Sequence, residues 1–388
     1  MRLTFKLFLL GLLLMGCVTS QPTPVSTPTT YRPIIPPTIA LATLTVIPSS
    51  TITPIATPTA AYREIKASSK WDGLNKYTYL EGFVDHVNSL AWSGDGKTLI
   101  IASQQNYLVY FDTQSNKATI SPVGDWAIST ITVSPNSKIL AVNSDSRFIE
   151  SALVSFMDLE THKVIRTIKV EKPFIFEGKT KIVYGSTGIF APDGKTFILN
   201  SSKQVVLWDV ANGNQIKVLF QCDPNFVVSG LFLNSAKNLL FTIYNTNGWD
   251  KENKFLRWDT NTWELTKTFT GDFTGFSFSP DGDTFTPIHK DINIVHSNSA
   301  AELFNFTGSQ NLGLYSGRLI AYDPSGKYVA INNSGYTIIY DVHTGNSILP
   351  LYGFDAEVLK FSPDGTKLAA GGGFERPGLV AIWDLNQP

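Results

Sequence analysis

The 388-residue chain carries 31 basic against 32 acidic side chains, a formal charge of −1, and 12% of its residues are aromatic. That balance leaves no basic surplus for the phosphate contacts on which nucleic-acid binding rests, so no nucleic-acid partner is expected. The aromatic share suits a core of stacked sheets, which needs large plugs between its layers.

The chain opens with Arg2 and Lys6, followed by an apolar run of nine over residues 7–15. A bilayer span needs about 20 residues, so the run is too short to cross one and instead suits the core of an export signal. It ends in Leu14-Met15-Gly16-Cys17, which resembles the lipobox of bacterial lipoproteins. The resemblance implies a signal peptide over residues 1–16, cut before Cys17, and a lipid on that cysteine holding the protein to a bacterial membrane on its extracytoplasmic side. Each buried acyl methylene contributes about 0.8 kcal/mol to such an anchor. An ordinary cleaved signal that contains a cysteine is the alternative. Without Arg2 and Lys6, 29 basic side chains face 32 acidic ones. With Cys17 acylated, Cys222 has no disulfide partner and reads as a small buried apolar residue.

Composition then changes. Residues 18–60 hold nine prolines and many threonines, with no acidic residue and Arg32 as their one basic residue. Such a tract builds no core and favours extended, polyproline-like coil, so residues 17–70 read as a tether. At roughly 3.1 Å per residue it reaches on the order of 100 Å.

Residues 71–388 read as one repeat domain. A strand-like stretch, Lys76-Tyr77-Thr78-Tyr79-Leu80, precedes seven copies of one phrase: an apolar run, a Ser-Pro-Asp-Gly-like turn, a second run, and an aromatic-Asp ending. The second residue of each turn is Gly94, Pro135, Pro192, Asn234, Pro280, Pro324 and Pro363, giving spacings of 41, 57, 42, 46, 44 and 39 residues. Proline presets φ at the second turn position and glycine accepts the fourth, so each phrase predicts a hairpin. Six units end in Phe111-Asp112, Met157-Asp158, Trp208-Asp209, Trp258-Asp259, Tyr340-Asp341 and Trp383-Asp384; the fifth offers His296-Ser297 instead. Runs this apolar are buried on both faces, which requires neighbouring sheets to cover them. The last unit stops soon after Asp384, one strand short, and the stretch at residues 76–80 is the strand expected to complete it.

These repeats resemble the WD40 family over roughly residues 75–388, whose blades are four-stranded and span about 40–45 residues. The resemblance implies an all-β, seven-bladed β-propeller of four-stranded antiparallel blades, its ring closed by the N-terminal strand. Two departures accompany it. Gly82-Phe83 stands where the family has Gly-His, and Asn106 and Lys203 lie near the place of the aspartate before the third strand. The buried hydrogen-bond network of that family is therefore expected to be incomplete here.

Motifs of catalysis are thin. His86, His162, His289, His296 and His343 are scattered, and strand alternation sets His296 on the face opposite His289 and Asp291, so no metal site is expected. Gly96-Lys97-Thr98 and Gly194-Lys195-Thr196 lack the upstream glycine of a phosphate loop and read as hairpin turns. In Gly313-Leu314-Tyr315-Ser316-Gly317 the serine falls one place too late for a nucleophile elbow. No enzyme activity and no cofactor are expected.

The resemblance places the inter-blade loops on one ring face. There an acid stands beside an aromatic again and again: Phe83 with Asp85 and His86, Asp125 with Trp126, Asp223 with Phe226, Asp272 with Phe273, Tyr315 near Arg318, and Phe354 with Asp355. Such a face suits binding of a peptide, a cationic group or a sugar; wedges between blades and turn caps are the alternative roles. Insertions at residues 171–188 and 245–254 add further loop surface. The expected function is a membrane-anchored scaffold that binds another envelope or extracellular protein. A carbohydrate- or peptide-binding receptor for a small ligand, and a propeller lyase or hydrolase, stand as alternatives.

Overall fold

The computed structural model describes residues 64–71, 76–83, 85–124, 127–145, 151–171, 175–177, 180–182, 187–201, 203–222, 226–246, 253–271, 276–287, 292–296, 302–306, 320–333, 336–352, 356–372 and 378–386. Every regular element among them is a strand, and all sheet pairings are antiparallel. Six sheets have four strands and one has five. The first sheet runs Val87–Trp92, Thr98–Ser103, Tyr107–Asp112, Lys117–Pro122, with strands paired in chain order. The same order recurs in the second to sixth sheets, whose first strands are Ile128–Val133, Thr187–Phe190, Phe226–Asn234, Phe276–Phe278 and Ile320–Tyr322.

The seventh sheet is different. Its chain-terminal strands are Ala356–Phe361, Lys367–Gly372 and Val380–Asp384, and Lys76–Glu81 pairs with the last of these through Tyr77 opposite Trp383 and Leu80 opposite Val380. The strand expected to complete the last unit does so. A further strand, Lys66–Trp71, pairs outside it with Lys66 opposite Glu81. The tether boundary drawn at residue 70 from composition falls inside this strand. Its lead-in lies close against Gly82, where an added Cβ would come within 2.4 Å of the Glu64 carbonyl oxygen.

Local chemistry explains the turns. Gly96, Gly194, Gly282, Gly326 and Gly365 all take positive φ at the fourth turn position, as the sequence demands, and Ser137 adopts the same conformation in the second sheet. In the fourth sheet the left-handed residue is Asn238, two places later than the marker at Asn234 implies. The aspartates that end the third strands cap the next turn. Asp112 Oδ1 accepts the amides of Gln114 (3.0 Å) and Ser115 (2.6 Å), and Asp158, Asp209, Asp259 and Asp341 repeat the arrangement. In the fifth sheet His296 pairs opposite Thr284, as Asp209 pairs opposite Thr196. His296 therefore occupies the aspartate's position rather than the aromatic's, a shift of one residue from the sequence reading.

The amide bonds of Ser115, Thr161 and Thr344 hold the carboxyls of Asp112, Asp158 and Asp341 below the usual carboxylate range, and the Ser93 hydroxyl does the same for Asp95. A depressed folded value gives stabilisation that is complete above the unfolded value of about 4 and lost as pH falls through the lowered one. The melting temperature is expected to stay level between about pH 5 and 7 and to fall below about pH 4. A level profile down to about pH 3 contradicts this account.

Middle strands are buried on both faces, as in Thr196–Asn200, whereas the fourth strands are largely exposed. Cores form between consecutive sheets. One unites Ile100, Leu108, Ile128 and Leu140 of the first and second, and another unites Phe156, Phe190, Phe197 and Trp208 of the second and third. A further core joins Leu80, Leu90, Leu99, Phe111 and Val380 of the seventh and first. Full burial of each such side chain contributes about 1.5–3 kcal/mol. First strands of successive sheets touch in order, and that of the seventh touches that of the first. Trp92 Nε1 also donates to the Lys360 carbonyl at 3.1 Å, joining the first sheet to the seventh.

Cys222 is buried in the core of the third and fourth sheets, as its reading from sequence requires. The insertion after the second sheet carries a hairpin, Ile175–Glu177 with Thr180–Ile182.

Candidate interaction face

The candidate residues cluster in sequence just before first strands, and the structure describes four of them. Phe83 is 6% exposed and packs with Leu80, Val87 and Val380. A Cβ on Gly378 would lie 2.5 Å from its carbonyl oxygen, so the backbone at Gly378 lies directly against it. Phe83 is thus a wedge in the core of the first and seventh sheets and not an exposed anchor. Asp85 and His86 are half-buried beside it. Asp85 Oδ1 accepts the His86 amide at 2.8 Å and lies 3.8 Å from His86 Nε2, while the His86 carbonyl accepts the Gln104 amide at 2.9 Å.

Phe226 lies at the start of the fourth sheet and is also half-buried. Its carbonyl accepts Lys203 Nζ and, at 3.1 Å, Cys222 Sγ. Its ring stacks edgewise on Tyr244 at 5.6 Å, and Lys254 Nζ sits 5.2 Å from the ring centroid. Burial lowers the Lys203 ammonium's pKa, with Cys222 acting in the opposite direction. Protein cations therefore already flank this aromatic, which narrows the acid-aromatic reading of this position. Asp125, Trp126, Asp223, Asp272, Phe273, Tyr315, Phe354 and Asp355 lie outside the described residues, as does Cys17.

A feature missed in the sequence builds this end of the sheets. The first strands of the first, second, fourth and seventh sheets each shift register at their second or fourth residue, between Val87 and Ser89, Ile128 and Thr130, Val228 and Gly230, and Ala356 and Val358. The extra residues are Asn88, Ser129, Ser229 and Glu357, polar positions interrupting apolar runs. A bulge bends its strand and re-aims the extra side chain. Asn88 Nδ2 donates to the Ile128 carbonyl of the next sheet at 2.8 Å, and Ser129 Oγ donates to the Asn143 carbonyl at 3.0 Å. Asparagines at the ends of second strands add similar ties: Asn200 to the Val228 carbonyl (3.1 Å) and Asn332 to that of Ala356 (2.8 Å). The recurrence of one polar residue early in these four first strands was the available signal.

The tryptophans near the ends of the third strands differ in their hydrogen bonding. Trp258 Nε1 donates to Thr242 Oγ1 at 3.2 Å, whereas Trp208 Nε1 is buried without a partner, with Leu199 in the position corresponding to Thr242. Among the described residues no group of three or more His, Cys, Asp or Glu is placed to hold a metal ion. Compared with known proteins, the chain matches no family model, and a search of curated proteins finds no match.

Proposed function

We propose that this protein is a membrane-anchored, extracytoplasmic scaffold: a seven-bladed, WD40-like β-propeller lipoprotein, non-catalytic, that binds another envelope or extracellular protein through one ring face. The observation that carries the reading is the cyclic order of contacts, in which seven first strands touch in succession and the seventh meets the first. Two features support closure: the Trp92–Lys360 bond, and Lys76–Glu81 completing the last sheet so that the edge of Val380–Asp384 is not left open. Supporting the anchor are the apolar run at residues 7–15, Gly16-Cys17, and the proline-threonine tract that follows. The bulged ends of the first strands give the ring face rigid, polar positions, and the loops feeding them hold the acid-aromatic pairs. Rigid scaffolds that carry such loops commonly use them for recognition, with aromatics as anchors.

Affinity capture from the producing cell's envelope tests this. Residues 64–388 serve as bait beside a variant with Trp126, Phe273 and Phe354 changed to Ala, both confirmed to melt cooperatively. The expected result is a protein recovered by the first bait and lost from the second. No recovery, or equal recovery by both, contradicts the reading.

A further inference from the structure

At the opposite ends of the first strands, the hairpin turns of adjacent sheets pack against one another. A proline usually fills the space between them. A Cβ on Gly194 would lie 3.5 Å from Pro135 Cδ, one on Gly326 3.3 Å from Pro280 Cδ, and one on Gly365 3.5 Å from Pro324 Cδ. Between the fourth and fifth sheets Asn234 takes the role, donating through Nδ2 to the Gly282 carbonyl at 3.0 Å. Between the first and second sheets no ring is present: Gly94 replaces the proline, and Ser137 stands where five other turns have glycine, its Oγ 2.2 Å from a Cβ built on Gly94.

A groove of about 610 Å³ opens there, lined by Ser93, Asp95, Thr98, Tyr110, Glu160 and His162 among others. That volume falls within the usual range for small-ligand sites. Tyr110 is 4% exposed, and its hydroxyl is buried without a hydrogen-bond partner. His162, left-handed at φ 56°, stacks on the Tyr110 ring with centroids 3.8 Å apart and planes 10° apart. Asp95 Oδ1 is engaged by Ser93 Oγ (2.6 Å) and the Lys97 amide (3.1 Å). The lining thus holds two carboxylates, an aromatic pair and an unsatisfied hydroxyl, with no Lys or Arg. Burial lowers the His162 pKa, Asp158 acting in the opposite direction, so the imidazole adds little positive charge near neutral pH.

We infer that the groove between the first and second sheets binds a small organic cation, an alkylammonium group, between Asp95 and Glu160 and against the Tyr110 hydroxyl. Carboxylates accept charge-assisted hydrogen bonds from ammonium donors, and an aromatic wall favours a cation over a neutral group. The site lies at the other end of the sheets from the proposed interaction face, so the two stand or fall separately.

Calorimetric titration of the full chain with 1,4-diaminobutane tests the inference, with glucose as a neutral control and with Glu160→Gln and Tyr110→Phe variants alongside. The expected result is saturable binding of the diamine, none of glucose, and at least tenfold weaker binding in each variant. Each variant is expected to melt at or above the wild-type temperature, because Tyr110→Phe removes a hydroxyl that has no partner in the free chain. Absence of saturable diamine binding, equal affinity in the variants, or equal binding of glucose overturns the site. A lower melting temperature for Tyr110→Phe overturns the premise that the hydroxyl awaits a ligand.

Discussion

Deletion of residues 64–82 is expected to lower the melting temperature by roughly 10 °C or more. The segment contributes both added strands of the seventh sheet, and with them Tyr77, Tyr79 and Leu80, exposed by 8%, 8% and 0%. Tyr77 packs on Trp383 at 5.5 Å and Tyr79 carries Lys70 at 3.4 Å from its centroid. Burying three such side chains contributes on the order of 5 kcal/mol, and a kilocalorie is worth about 2–4 °C in a chain somewhat smaller than this one. Deletion also bares the edge of Val380–Asp384, which invites association between copies. Thermal melting with light scattering checks both effects. An unchanged midpoint and no association contradict the role assigned to these strands.

Phe197→Ala is expected to cost about 3–5 kcal/mol. Phe197 is fully buried between the second and third sheets and meets Phe156 and Phe190 edge-on, each with ring centroids 5.2 Å away. A Cβ on Gly188 would lie 2.4 Å from the ring, so the backbone there has closed down onto the phenylalanine and cannot refill the hole without rearranging. The denaturant midpoint should fall with an unchanged slope, because the surface exposed on unfolding stays nearly the same. A loss below about 1 kcal/mol contradicts the packing assigned to this aromatic trio.

The repeat series made the sheets legible because each unit writes its turn in residues with few conformational options. Glycine at the fourth turn position has a direct reading, and five of the seven turns carry it there with positive φ. The exceptions blurred the register. Asn238 takes the left-handed conformation two residues later than a glycine set by the Asn234 marker would, and His296 fills the place of an aspartate without resembling one. The aromatic-Asp endings were visible as a pattern, yet their cause, an aspartate capping two amides of the next turn, depends on backbone geometry beyond the motif. Residues 66–70 fell on the tether side of the boundary, with Trp71 just beyond it, and the run Lys66-Ala67-Ser68-Ser69-Lys70-Trp71 has little strand propensity to mark it as a strand. Pairing with Lys76–Glu81 across a short connection overrides that preference.

The candidate face was legible only in outline. Phe83 reads the same whether it wedges a core or awaits a partner, and only its contacts with Leu80 and Val380 decide between them. The bulges escaped notice because one extra residue leaves the hydrophobic run intact in composition while shifting its register. The groove beside Gly94 follows from a missing proline, which carries meaning only once the neighbouring turns are seen to be filled by theirs.

Closure of the ring through the N-terminal strands is the claim on which the scaffold stands, and amide hydrogen exchange reaches it most directly. Residues 76–81 and 380–384 are to be compared with the central strand at residues 98–103 in the intact chain. Protection of the paired amides in both segments approaching that of the central strand is the predicted result. Exchange in residues 76–81 as fast as in an unpaired chain, with residues 98–103 still protected, would contradict it.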